Sequence, residues 1–170
     1  MNVVLFGLRC VGKTTVGIRL SDITDRVFFD IDSIIEKRES KSIPDIILEK
    51  GWEYFRTKEK EVIKDVSKEN NAVISLGGGA LMEKENVDSL KNSIFFLLKA
   101  NIQTMRSRME RDAPRPSLTN DNPTSEIDVV MAERMPIYEE IADIIIDTDG
   151  LSVYEVCDKI LLELEKRSLI

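Results

Sequence analysis

The sequence predicts an α/β fold built on a parallel sheet of five strands. Three observations carry that expectation. Five short apolar runs, at residues 2–6, 27–30, 72–76, 94–98 and 143–147, are separated by helical patterns, which is the signature of βαβ units. The first twenty residues read as strand, Gly-rich loop and helix in immediate succession. The chain has 170 residues, 42% of them apolar, with no repeat and no low-complexity linker, so one globular domain over 1–170 is expected. Crossovers in such a sheet are right-handed, and ligands gather at the carboxyl ends of the strands. The residues just after each strand are therefore the ones that carry chemistry.

The first strand is Asn2-Val3-Val4-Leu5-Phe6. After it, Gly7-Leu8-Arg9-Cys10-Val11-Gly12-Lys13-Thr14-Thr15 fits G-x-x-x-x-G-K-[ST] without a gap. Two glycines let the backbone turn its N–H groups of Cys10, Val11, Gly12, Lys13, Thr14 and Thr15 into one concavity, and the following helix adds its N-terminal dipole. Lys13 then reaches the β- and γ-phosphates of a nucleotide, and the Thr14 hydroxyl is a ligand for Mg²⁺. Cys10 lies inside this loop. It is either an activated thiol beside Lys13 and the helix N-terminus or a small inert hydrophobe.

The second strand ends in Asp30-Ile31-Asp32. If strand geometry persists, both carboxylates share a face at the edge of the phosphate site. Asp30 suits a magnesium shell, and Asp32 suits accepting a proton from a substrate hydroxyl. The alternative is that one of them caps a helix starting near Ser33. Ser42 reads as the N-cap of the next helix, ahead of Pro44. Glu53-Tyr54-Phe55-Arg56 opens a long helix whose apolar stripe is Phe55, Val62, Ile63 and Val66. Arg56 falls at the rim of that stripe, and taken alone it is a solvated surface arginine.

The third strand runs into Gly77-Gly78-Gly79. Three glycines in a row exceed what a turn needs; they permit positive φ and close backbone approach to a ligand. The helix near 101–111 buries Ile102, Met105 and Met109 and leaves Arg106, Arg108 and Arg111 off the stripe. The polar, Pro-rich segment that follows, around Pro114-Arg115-Pro116, is a long loop of the kind that serves as a lid. In the next helix Arg134 shares the stripe of Ile127, Val130, Met131, Tyr138 and Ile141, and Pro136 is expected to break or kink the helix. An inward arginine requires an anion, which is a bound carboxylate or phosphate or else a structural ion pair. The last strand, Asp143–Asp147, precedes a helix with a Ser152-x-x-Glu155 capping box and an apolar face that includes Cys157.

Composition excludes other classes. A net charge of −7 argues against general nucleic-acid binding. No apolar run approaches the ~18 residues of a membrane span. The N-terminal run has no signal-peptide pattern, and two distant cysteines make no disulfide framework, so a cytoplasmic setting is expected. With no histidine in the chain, any general base is a carboxylate, a lysine or water.

The ordered set Asp30-Ile31-Asp32, Glu53-Tyr54-Phe55-Arg56, Gly77-Gly78-Gly79, Arg115-Pro116 and Arg134 before Pro136-Ile137-Tyr138 resembles the shikimate kinase family, over almost the whole chain. The resemblance implies a three-layer P-loop kinase fold with strand order 2-3-1-4-5, a mobile lid at about 110–124 and a substrate-binding helical region at about 32–60. It implies transfer of the γ-phosphoryl group of ATP to the 3-hydroxyl of shikimate, with Mg²⁺. By position it gives Asp32, Arg56, Gly78, Gly79 and Arg134 to shikimate, with Asp32 as the base. It gives Arg115 and Lys13 to the transferring phosphates, Arg108 to the adenine, and Thr14 and Asp30 to the metal. Many members carry a further arginine after the last strand; here that stretch is Asp147-Thr148-Asp149-Gly150. A gluconate-type kinase of the same fold need not have two converging arginines, and a nucleotide kinase needs a second base pocket that the sequence does not reveal. A nucleotide-binding regulator would lack Asp32 or the lid arginine. The expected partners are small molecules alone, with a monomeric chain.

Overall fold

Five parallel strands form one sheet in the order β2-β3-β1-β4-β5. The computed structural model describes residues 1–109 and 123–170, the side chains of 123–126 excepted. Along the chain the elements are β1 (Asn2–Phe6), α1 (Lys13–Thr24), β2 (Val27–Asp30), α2 (Ile31–Glu39), α3 (Ile43–Val66), β3 (Ala72–Ser75), a 3₁₀ turn (Ala80–Met82), α4 (Lys84–Ser89), β4 (Ser93–Lys99), α5 (Ile102–Met109), α6 (Pro123–Ile141), β5 (Ile144–Asp147) and α7 (Val153–Lys166). Each expected strand is present within a residue or so of its anticipated bounds. Among the described residues no helix is long and apolar enough to cross a membrane.

Strand position explains strand composition. Every residue of central β1 is buried, as is the body of β4, which is why both read as unbroken apolar runs. Edge strand β5 alternates instead: Ile144 and Ile146 face the core while Ile145 and Asp147 face outward. Asn2 is a buried polar residue at the start of β1. Its amide donates to Glu69 O at 2.7 Å and accepts from Ala72 N at 3.0 Å, fixing where β1 meets β3. The register that follows pairs Leu5 with Ser75.

Local signals set the helix ends. Ser42 caps α3, and Ser152 with Glu155 forms the expected capping box on α7. Cys157 is buried, its thiol 3.8 Å from Val16 O, and burial pushes its pKa up to about 11, so it is the inert core residue expected. Two expectations are corrected. Helix α2 starts at Ile31, not near Ser33, so strand geometry ends at Asp30 and the two aspartates do not share a strand face. Helix α6 runs through Pro136 without a break. The carbonyl freed there belongs to Ala132, which is exposed to water, as is Pro136. The boundary expected between the helix capped by Ser42 and the one opening at Glu53 is at Gly51, whose φ of 82° and ψ of 170° interrupt α3.

Gly7 has φ 142°, and a Cβ on it would overlap the backbone oxygen of Leu98 in β4. Gly12 has φ 98°, but a Cβ there would meet only Val16, at 3.9 Å. The two glycines of the loop therefore serve different needs. Gly7→Ala is expected to destabilise the ligand-free protein by about 3 kcal/mol, combining backbone strain with overpacking against a strand that cannot move. Gly12→Ala should cost only about 1 kcal/mol, from strain alone. Urea midpoints without nucleotide check this; equal losses would mean that the Gly7 contact relaxes freely.

Candidate active site

The carboxyl ends of β1, β2 and β3 open into one cavity of about 640 Å³, lined at one end by Lys13 and Thr14 and at the other by Arg56 and Arg134. The phosphate-loop end is built on Gly12, whose left-handed conformation starts α1 and leaves its first N–H groups open. Lys13 Nζ folds back on the loop and donates to Gly7 O at 3.0 Å and Leu8 O at 2.8 Å. These carbonyls hold the ammonium beside the concavity, where an anion can take it over. Cys10 is half-buried with φ 61°, and its carbonyl accepts from Arg108 Nη1 at 3.0 Å.

Asp30 takes the capping role and also binds the phosphate loop. Its Oδ1 accepts from Ser33 N at 3.0 Å and caps α2, while its Oδ2 accepts from the Thr14 hydroxyl at 2.8 Å. One carboxylate thus ties α2 to the phosphate loop. Thr14 and Asp30 supply only oxygen donors, and they supply few. That fits Mg²⁺, which keeps waters and phosphate oxygens in most of its octahedral positions. Asp32 lies in the first turn of α2 and also lines the cavity.

The three glycines after β3 are explained differently from the expectation. None of Gly77, Gly78 and Gly79 has positive φ. They provide room. A Cβ on Gly77 would stand 2.8 Å from Asp32 Oδ1 and 3.1 Å from Glu59 Oε1, and one on Gly79 would overlap the Arg56 guanidinium. The carbonyl of Gly78 accepts from Arg134 Nη1 at 2.7 Å and from the Tyr138 hydroxyl. The glycine turn is the floor on which both arginines lie.

Arg56 is not a solvated surface residue. Its side chain is 22% exposed, it lies 5.5 Å over the Trp52 ring, and its Nη1 pairs with Glu59 Oε2 at 2.5 Å. Arg134 is partly buried and faces the same turn, so the inward arginine of α6 and the rim arginine of α3 converge. Glu59 is the residue that the sequence reading missed. It is fully buried, and burial pushes its carboxyl up to about 7 against the pull of Arg56 and Arg134, with Asp32 adding to the rise. A signal for it exists: Glu59 stands four residues after Phe55 and three before Val62, a charged residue in the middle of an apolar stripe.

A second cavity of about 290 Å³ adjoins the loop and is lined by Val11, Arg108, Thr148, Leu151 and Val153 among others. In place of an arginine after β5, Thr148 is buried, with its hydroxyl on Lys99 O at 3.0 Å, and Asp149 accepts from Asn101 N at 2.8 Å. That stretch is bolted to the end of β4. Arg115 and most of the expected lid lie outside the described residues.

The comparisons with known proteins agree with this geometry. The shikimate kinase family model matches residues 9–165. The shikimate kinase of Burkholderia lata is 38% identical over 170 residues, covering 99% of this chain and 92% of that one. That of Thermodesulfovibrio yellowstonii is 37% identical, covering 98% and 96%. Among solved structures, shikimate kinase from Acinetobacter baumannii in complex with shikimate superposes with a TM-score of 0.92 at 32% identity, covering 99% of this chain and 95% of that one. The enzyme from Aquifex aeolicus gives 0.82 at 36% identity, with 99% coverage of each. A phosphate loop, an aspartate-bearing helix and two arginines on a glycine turn, in a chain matched over nearly its whole length, place this protein in the shikimate kinase family.

Proposed function

We propose that this chain phosphorylates the 3-hydroxyl of shikimate, using ATP and Mg²⁺ and giving shikimate 3-phosphate and ADP. The observation that carries the reading is the convergence of Arg56 and Arg134 on the glycine turn, in the same cavity as Lys13 and Asp32. Two planar guanidiniums suit the carboxylate of a rigid ring acid. A neutral polyol or a nucleobase would leave Arg134, which is held by a carbonyl, without a matching anion. The helical segment of about 32–60 then forms the acid-binding wall, the segment of about 110–124 the lid, and residues 1–170 one catalytic domain.

Phosphoryl transfer needs positioning and charge neutralisation more than covalent help. The backbone of residues 10–15 cradles the ATP phosphates. Lys13 exchanges its Gly7 and Leu8 carbonyls for β- and γ-phosphate oxygens. Thr14 and Asp30 would hold the magnesium, which would supply charge neutralisation at the phosphates. Asp32 accepts the proton of the 3-hydroxyl as that oxygen bonds to the γ-phosphorus and the bond to the ADP oxygen breaks. Gly78 and Gly79 offer backbone to the acid, and Arg108 packs at the base end of the nucleotide. Arg115 is assigned to the transferring phosphate on the resemblance.

A coupled ADP-release assay over shikimate, gluconate and nucleoside monophosphates tests the substrate. Turnover confined to shikimate supports the reading, and turnover of gluconate alone would overturn it. Asp32→Asn should lower kcat by about 10²–10⁴-fold and leave ATP affinity nearly unchanged, because the amide keeps the shape but accepts no proton. A loss under about tenfold would reduce Asp32 to a positioning group. Arg134→Lys retains charge but loses the planar fork, so affinity for shikimate should fall. An analogue lacking the carboxylate should show little change between the two proteins. Equal losses for both compounds would assign Arg134 to the fold alone.

A further inference from the structure

We infer that Glu59 takes up a proton when the substrate acid binds, so that this site accepts the acid as a carboxylate plus one proton. The inference rests on the proposed acid site between Arg56 and Arg134. Its observations are independent of the transfer chemistry. Glu59 is buried, and it lines the same cavity as Asp32, Arg56 and Arg134. Its two oxygens differ. Oε2 pairs with Arg56, whereas Oε1 is buried and has no hydrogen-bond partner among the described residues. Oε1 lies on the side of the glycine turn, 3.1 Å from where a Cβ on Gly77 would be, and Asp32 Oδ1 is 2.8 Å from the same point. Two carboxylates thus crowd one glycine.

The charged and titratable groups that face Glu59 are Arg56 on its own helix, Asp32 from α2, and Arg134 and Tyr138 from α6. With both carboxylates ionised, two arginines balance two acids. An incoming carboxylate adds one negative charge to a largely dehydrated site and divides the attention of the two guanidiniums. Arg56 and Arg134 are the groups that hold Glu59 toward its ionised form. Once they also serve the substrate, that hold weakens, and the protonated form of Glu59 restores neutrality. A protonated Glu59 also releases Arg56 Nη1 for the ligand. Because burial already brings this carboxyl to about 7, the exchange falls within the working pH range. The sign follows. Binding raises the affinity of Glu59 for a proton, so acid binding is tightest below about 7 and weakens as pH rises through and above it. The limiting slope is about tenfold in Kd per pH unit, one proton per bound acid.

Isothermal titration of shikimate into the nucleotide-free full chain, in phosphate and in Tris at the same pH, counts protons from the difference in apparent enthalpy. At pH 7.5 the wild type should take up between about half and three quarters of a proton, and Kd should rise between pH 6.5 and 8.5, shallowly at first and approaching that slope toward 8.5. Glu59→Gln should bind with no proton uptake and a flat Kd. Asp32→Asn should still take up the proton. A wild-type count of zero across this range overturns the inference while leaving the kinase reading intact. Uptake that survives in Glu59→Gln and vanishes in Asp32→Asn also overturns it, moving the proton to Asp32. Absence of shikimate binding by the wild type would instead sink the acid-site reading on which both rest. If Glu59→Gln does not fold, the wild type and Asp32→Asn decide: uptake in both supports Glu59, and uptake in neither overturns it.

Discussion

The parallel pairing of β1 with β3 is the constraint from which the site follows. Asn2 sets the entry of both strands, Leu5 pairs with Ser75, and Leu76 N donates to Leu5 O just past the end of β3. The chain therefore leaves the two strands side by side, once into the phosphate loop and once into the glycine turn. A Cβ on Gly78 would stand 3.7 Å from Gly7 O, so the two turns touch. A parallel sheet with ligands at its carboxyl edge always offers such a crevice. Here the register of one strand pair fixes the distance between the group that holds phosphate and the turn that holds the arginines. β2 joins at the outer side of β3, and its last residue, Asp30, reaches back to Thr14. Three consecutive strands of the sheet thus converge on one cavity.

Converging on that space means burying charge, which is costly unless each ion is matched. The structure meets the cost in layers. Arg56 is neutralised by Glu59 and shielded by Trp52 and Phe55. Arg134 is directed by a carbonyl and not by a carboxylate, and Tyr138 shares that carbonyl. A carbonyl orients a guanidinium without cancelling its charge, so Arg134 keeps most of its attraction for an anion. The two arginines are therefore not equivalent. One arrives paired with a titratable acid, the other with a dipole. A buried ion pair is weak evidence for stability, because desolvation offsets much of its attraction.

Much of this was legible in the chain because it is local. The strands announced themselves by apolar runs, the capping box of α7 by Ser152 and Glu155 at fixed spacing, and the phosphate loop by its own glycines and lysine. What was not legible depends on what stands opposite. Arg56 sits at the rim of a helical wheel, where solvation is the ordinary fate. Its pairing with the buried Glu59 and its place over Trp52 are tertiary contacts that the wheel does not show. Of the two properties expected of the triple glycine, positive φ is absent, and the structure adds a need for room beneath Arg56 and beside Asp32. Asp30 reads from sequence as a cap or a metal ligand, and its carboxylate caps α2 with one oxygen and accepts from Thr14 with the other. Glu59 broke an apolar stripe in plain view. A buried acid is invisible to periodicity unless the charged residue on the stripe is itself taken as a signal.

The nucleotide end shows the same economy with fewer charges. Arg108 is the one charged residue among the described residues lining the second cavity, and its guanidinium is held by the carbonyl of Cys10. Cys10 has a positive φ, a conformation that costs a non-glycine residue about 1–2 kcal/mol and persists only where neighbours enforce it. The Arg108 hydrogen bond is such an enforcement, reaching the loop across 98 residues of sequence. The loop is thereby anchored from three directions: Gly7 against β4, Thr14 to Asp30, and Cys10 to Arg108. The stretch after β5 adds no cation, since Asp149 and Thr148 spend their hydrogen bonds on the β4–α5 junction. The Arg108 hydrogen bond thus ties α5, which carries the cation of the second cavity, to the Cys10 peptide of the loop.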